Sequence, residues 1–142
     1  METQSTTGAL SIEKATNLVK QTYDAFLRGD IDGLLELYTD DIDWEVYGPS
    51  SLPIAGSYKG KDGVRSFFGK VNELLEPEKF EVQDYVAQGN TVAAMGAYTW
   101  TSKVTSRVFD AHFVHVVTIR DGLICKFREY TDTAAGVEAM VD

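Results

Sequence analysis

Between Ile12 and Phe26, apolar residues return every three or four positions: Ile12, Ala15, Leu18, Val19, Thr22, Ala25 and Phe26. That period predicts one apolar face of a long helix. Ser11 suits its N-cap, Glu13 lies in the first turn where the helix dipole favours an anion, and Gly29 ends it. Asp30 can cap a shorter second helix carrying Ile31, Leu34, Leu35 and Tyr38. The period then falls to two. Asp43-Trp44-Glu45-Val46-Tyr47 alternates as a strand does, and Gly48-Pro49 stops it. Residues 49–61 are rich in Gly, Pro and Ser and predict a loop, followed by a helix over 62–75 built on Val64, Phe67, Phe68, Val71, Leu74 and Leu75. Pro77 closes that region. Four strand-like stretches follow at 80–88, 91–104, 107–120 and 123–131, separated by the hairpin-forming pairs Gly89-Asn90, Thr105-Ser106 and Asp121-Gly122.

The predicted order is helix, helix, strand, helix and an antiparallel meander, with a short helical tail in the last ten residues. Helices grouped before a run of strands indicate an α+β domain with helices on one face of a curved sheet. Residues 1–10 are polar and unpatterned, a disordered lead. No repeat or linker divides the remainder.

Composition narrows the function classes. The chain has 142 residues, 44% hydrophobic and 25% charged, which suits one globular domain with a sizeable core. Its 13 basic and 22 acidic residues leave a net charge of −9, against the clustered Lys and Arg that nucleic-acid binding needs. Residues 1–45 hold 10 acids and 3 bases, so the acidity belongs mainly to the N-terminal third. A single cysteine, Cys125, excludes an internal disulfide and any multi-cysteine zinc site. No run of about 18 apolar residues offers a membrane span. METQSTTGAL lacks the basic and apolar regions of a secretory signal, so a soluble cytoplasmic protein is expected.

Several ordered segments carry a family resemblance. They are Tyr23-Asp24-Ala25-Phe26-Leu27-Arg28-Gly29-Asp30, Tyr38-Thr39-Asp40-Asp41-Ile42-Asp43-Trp44, Ile54-Ala55-Gly56-Ser57-Tyr58-Lys59-Gly60, Arg120-Asp121-Gly122-Leu123-Ile124 and Arg128-Glu129-Tyr130-Thr131-Asp132. Together they resemble the SnoaL-like, ketosteroid-isomerase-like branch of the nuclear-transport-factor-2-like superfamily, across a domain at 11–135 with a tail at 136–142. The resemblance implies a cone-shaped, cystatin-like fold: a curved antiparallel sheet wrapped around the long N-terminal helix, with two further helices. It also implies a mostly apolar pocket for a small hydrophobic molecule and a homodimer through the outer sheet face. No membrane partner, nucleic acid, cofactor or metal is expected.

Matched to the relatives' strands, period-two alternation turns Trp44, Val46, Tyr98, Trp100, Phe113, His115, Val117, Phe127 and Glu129 inward, with Thr22 and Phe26 lining the pocket from the helix. The catalytic positions of ketosteroid isomerase fall on Val46, Thr22 and His115, leaving no carboxylate base at 46. Those of limonene-epoxide hydrolase fall on Glu129 and near Gly96 and Tyr98, so half of that set is missing. Neither activity is expected. What remains is His115 and Glu129 on neighbouring strands, a pair able to serve as base and orienter in isomerase, cyclase or hydratase chemistry, with Tyr98 as a further donor. The alternative is a non-catalytic ligand-binding or dimerisation module in which the same pair is a buried structural hydrogen bond. What distinguishes the two is whether the pair is closed on itself or open to a cavity.

The other candidates have plainer roles. His112 lies on the outer face with Val114 and Val116 and suits an interface, while Arg128, Tyr130 and Asp132 share its parity and suit an interface or rim ion pairs. Trp44 and Trp100 are candidate ligand platforms. Cys125 is a small core or interface residue without a base partner. Gly56 and Gly60 flank a turn, not a phosphate-binding loop.

Overall fold

The computed structural model describes residues 11–142, so the expected disordered lead at 1–10 lies outside the described residues. Helix α1 covers Ile12–Leu27 and is capped by Ser11, whose side chain accepts from the Lys14 N–H at 3.1 Å. Its buried face carries Ala15, Val19, Thr22 and Ala25, while Ile12 at the first turn is exposed. Helix α2 covers Ile31–Leu35 under an Asp30 cap. Strand β1 covers Tyr38–Val46, so Tyr38 opens the strand and is not part of the helix.

The expected loop at 49–61 contains a short strand, β2, at Gly56–Lys59. It pairs antiparallel with β1, placing Lys59 opposite Asp43. Four residues with only Tyr58 buried leave no alternation long enough to see in the sequence. Helix α3 follows at Gly60–Leu74. Strand β3, Leu75–Gln88, starts five residues earlier than expected and runs through Pro77. Proline is tolerated there because β3 is an edge strand and its register shifts between Pro77 and Lys79. Strands β4 (Thr91–Ser102), β5 (Val108–Arg120) and β6 (Leu123–Thr131) complete the sheet. At the turn into β6, Asp121 and Gly122 both adopt positive φ, as a tight hairpin requires.

The six strands lie in the order β2-β1-β6-β5-β4-β3. The sheet is therefore not wholly antiparallel as expected, because β1 runs parallel to β6. The chain reaches that position through the whole meander, which local patterning cannot reveal. A further helix, α4 at Thr133–Met140, raises the helices beyond α1 to three, and the expected boundary at 135/136 falls inside it. Asp132, expected at an interface or rim, caps α4 by accepting from the Ala135 N–H at 3.1 Å.

Alternation holds along β4 and β5: Val92, Ala94, Tyr98, Trp100, Ala111, Phe113, His115, Val117 and Ile119 are all buried. The helices cover this inner face, and the core forms between the two layers. On the outer face, His112 and Tyr130 are exposed, and Val114 and Val116 are half-buried. Arg128 donates to the Asp43 carbonyl at 2.9 Å and to its carboxylate at 3.0 Å, joining β6 to β1. Lys59 reaches the other Asp43 oxygen from β2. These cations hold the Asp43 carboxyl below the usual carboxylate range, Lys59 first and then Arg128. Cys125 is buried. No helix among the described residues is long and apolar enough to cross a membrane.

Candidate functional site

The inner face of the sheet, α1, α3, α4 and the loop before β2 enclose a cavity of about 90 Å³. Its wall includes the expected Thr22, Phe26, Trp44, Tyr98, Trp100, Phe127, His115 and Glu129. Val46, Phe113 and Val117 do not line it, although each is 2% exposed and points inward. Phe113 is overlain by Tyr98, with ring centres 5.0 Å apart, so it supports the wall from behind. Thr22 reaches the cavity, but its hydroxyl donates to the Val19 carbonyl at 2.6 Å within its own helix.

The wall also includes residues the sequence did not single out. Leu52 and Ile54, the two large aliphatic residues of the Gly/Pro/Ser-rich loop, form part of it, and α4 adds Met140. The most important omission is Tyr23, next to the expected Thr22. Consecutive helix positions turn by about 100°, so two neighbours can both border a wide cavity.

Aromatic rings make up most of the surface. Trp44 stacks on Phe127 at 3.7 Å and 12°, and Phe127 stands 4.7 Å from the His115 ring. The polar groups converge in one place. His115 and Glu129 face each other directly across β5 and β6. Their Nε2 and Oε2 atoms are 2.8 Å apart. On the other side of the ring, the Tyr23 hydroxyl lies 2.7 Å from Nδ1.

Hydrogen counting sets the direction of these bonds. Burial pushes the Tyr23 phenol well above its ordinary value, with nearby Tyr85, Tyr38 and Glu129 adding to the effect. Tyr23 therefore keeps its proton, so its hydroxyl can donate to Nδ1. With Nδ1 accepting, the imidazole carries its hydrogen on Nε2 and donates to Glu129 Oε2. Thr131 spends its one hydroxyl hydrogen on the His112 carbonyl at 2.9 Å, so it accepts from Tyr98 at 2.8 Å. The Tyr98 hydrogen is thus engaged, and its 3.4 Å approach to Glu129 Oε2 is too long for a good bond. Burial, followed by the Glu129 charge, pushes the Tyr98 phenol upward as well.

Both His115 nitrogens are occupied. Glu129 has its Oε2 engaged, whereas among the described residues no hydrogen bond reaches Oε1, and that atom is not among the buried unpartnered ones. The pair is therefore not arranged with a free imidazole: among the described residues, the atom left open is a carboxylate oxygen of a residue that lines the cavity. A carboxylate fixed at one oxygen in an apolar chamber is suited to accept a proton. No group of three or more His, Cys, Asp or Glu among the described residues could hold a metal ion.

Comparisons with known proteins place the chain in a family. An NTF2-like protein from Burkholderia xenovorans LB400 superimposes with a TM-score of 0.84 at 33% identity, over 92% of this chain and 98% of that one. TerC, co-crystallised with polyporic acid, gives a TM-score of 0.82 at 23% identity over 91% of this chain and 99% of its own. An uncharacterised protein of Mycobacterium tuberculosis strain H37Rv is 26% identical over 120 residues, 84% of this chain and 90% of that protein. The SnoaL-like domain family matches residues 19–127, a segment that contains Tyr23 and His115 but ends before Glu129. The chain is a member of the SnoaL-like domain family, with the nuclear-transport-factor-2-like fold.

Proposed function

We propose that this protein binds a small hydrophobic carbonyl compound in its cavity and moves a proton on it, in isomerase, cyclase or hydratase chemistry. The observation that carries this reading is the asymmetry of Glu129: Oε2 is held by His115, and among the described residues Oε1 has no partner, in a wall made largely of aromatic rings. Glu129 is then the group that meets the ligand. In isomerisation or ring closure, Oε1 takes a proton from the carbon beside the carbonyl and returns it at another position of the same molecule. In hydration it takes the proton from the added water, whose hydroxyl bonds to carbon, and returns that proton to the neighbouring carbon. His115 is the positioning residue, since its hydrogen bond fixes the rotamer of the carboxylate and Tyr23 fixes the tautomer of the ring. This reverses the order of the pair expected from the sequence, where imidazole was the natural base. The base of ketosteroid isomerase has no counterpart at Val46, and at Gly96 no side chain is present to complete the epoxide-hydrolase set. TerC, with the same fold, was co-crystallised with polyporic acid, and that co-crystal supports a small organic ligand for this chain.

The reading includes a homodimer through the outer sheet face, where Val114 and Val116 are only half-covered. Its chemistry is tested with cyclohexanone in D₂O, following deuterium uptake beside the carbonyl by proton NMR. The wild-type protein is expected to accelerate exchange, and Glu129→Gln to lose about 10²–10⁴-fold of that acceleration with the fold intact. Equal rates in the wild type, Glu129→Gln and His115→Ala would sink the assignment.

A further inference from the structure

The cavity has a neighbour. A surface cleft of about 660 Å³ runs between the end of α1, α3 and the start of β3. Phe26, Phe68, Val71, Leu75 and Trp100 belong to the walls of both spaces, so one layer of apolar side chains separates them. Phe26 and Phe68, with ring centres 5.7 Å apart, are only half-buried. The partition is thus made of side chains that can turn without breaking a backbone hydrogen bond.

Gly69 is the second observation. It lies inside α3 on the cleft wall, and a Cβ added there would meet nothing within 4 Å. Glycine inside a helix weakens it. No packed neighbour requires the missing side chain, and its absence leaves the floor of the cleft open. Size is the third. An apolar cavity of about 150 Å³ holds benzene, so a chamber of about 90 Å³ must widen to take one ring and has no room for two. Among the described residues, the rim gives an anionic ligand no free cation, because Arg28 is paired with Asp30 at 3.7 Å, Arg65 with Asp32 at 2.7 Å, and Glu76 also borders the cleft.

We infer that the cleft is the outer half of the ligand site, and that the ligand is an elongated, uncharged molecule of two or more rings. Its carbonyl-bearing ring occupies the chamber beside Glu129, and its distal ring lies between α1 and α3 against Gly69. The Phe26–Phe68 pair parts to let it through. This inference rests on the chamber being a ligand site, as proposed above.

Two neutral ketones separate the possibilities: Prodan, with two fused rings and environment-sensitive fluorescence, and cyclohexanone, with one ring, followed by saturation-transfer NMR. Gly69→Trp fills the cleft, with Gly69→Leu as the substitute if the tryptophan variant fails to fold. Thr22→Leu narrows the chamber. Thermal unfolding confirms that each variant is folded. The expected result is that Gly69→Trp weakens Prodan by at least about tenfold and leaves cyclohexanone bound as before, while Thr22→Leu weakens both. If Thr22→Leu weakens both and Gly69→Trp neither, the cleft is idle: this inference fails and the chamber reading stands. If Gly69→Trp weakens Prodan and Thr22→Leu affects neither probe, ligand binds outside the chamber and the earlier reading fails. If no variant changes either probe, both fail.

Discussion

Glu129 stands directly opposite His115, and that register is what brings two polar side chains together on an otherwise apolar face. Alternation along two strands and the family's strand order were enough to anticipate the pair. Tyr23 was not legible, since a helix wide enough to border a cavity presents adjacent residues to it and the family position fell on Thr22. Nor could the sequence show which member of the pair is saturated, because that depends on the hydroxyls of Tyr23, Tyr98 and Thr131. At this scale the testable consequence is alkaline. Burial raises the phenols of Tyr23, Tyr38 and Tyr98 above the ordinary value of 10.0. Above pH 10 the unfolded chain loses these protons and the folded chain keeps them. The stability they contribute is therefore complete below that pH and declines as pH rises beyond it. Tyrosinate absorbance should show these three silent in the native protein between pH 10 and 11 and ionised on unfolding. Full ionisation of all seven tyrosines in the folded state would contradict the buried network.

At the level of elements, the sheet is shaped by irregularities that periodicity does not register. Gly96 on β4 lies against a bulge of β3: an added Cβ would come within 2.9 Å of both Phe113 and Val82, and closer still to the Glu81 carbonyl. Backbone cannot retreat as a flexible side chain can. Gly96→Ala is expected to destabilise the fold by about 1–3 kcal/mol, measured as a lower urea midpoint at unchanged slope. An unchanged midpoint would mean that the strands are not in this contact. Strand β2 was unreadable for a different reason: it is short, mostly exposed and held by pairing with β1, while Asp43 draws in Lys59 and Arg128 from either side. Tertiary partners, not local propensity, make it a strand.

For the whole molecule, the order of helices and strands was readable because each change of period marks a change of element. The parallel closure of β1 on β6 and the cavity loop at Leu52 were not, since both join segments remote in the chain. The two faces of the sheet also differ at this scale. Helices bury the inner face, and the outer face presents half-covered Val114 and Val116 beside exposed His112. Light scattering is expected to give about twice the chain mass of 15.7 kDa, and a monomer at micromolar concentration would remove the dimer from the account. The central claim is that Glu129 Oε1 meets the ligand. A crystal structure of the protein grown with cyclohexanone tests it most directly. The account predicts the ketone in the chamber with a carbon next to its carbonyl facing Oε1 and the His115–Glu129 bond intact. A ketone bound elsewhere, or held in the chamber through a free His115 nitrogen, would contradict it.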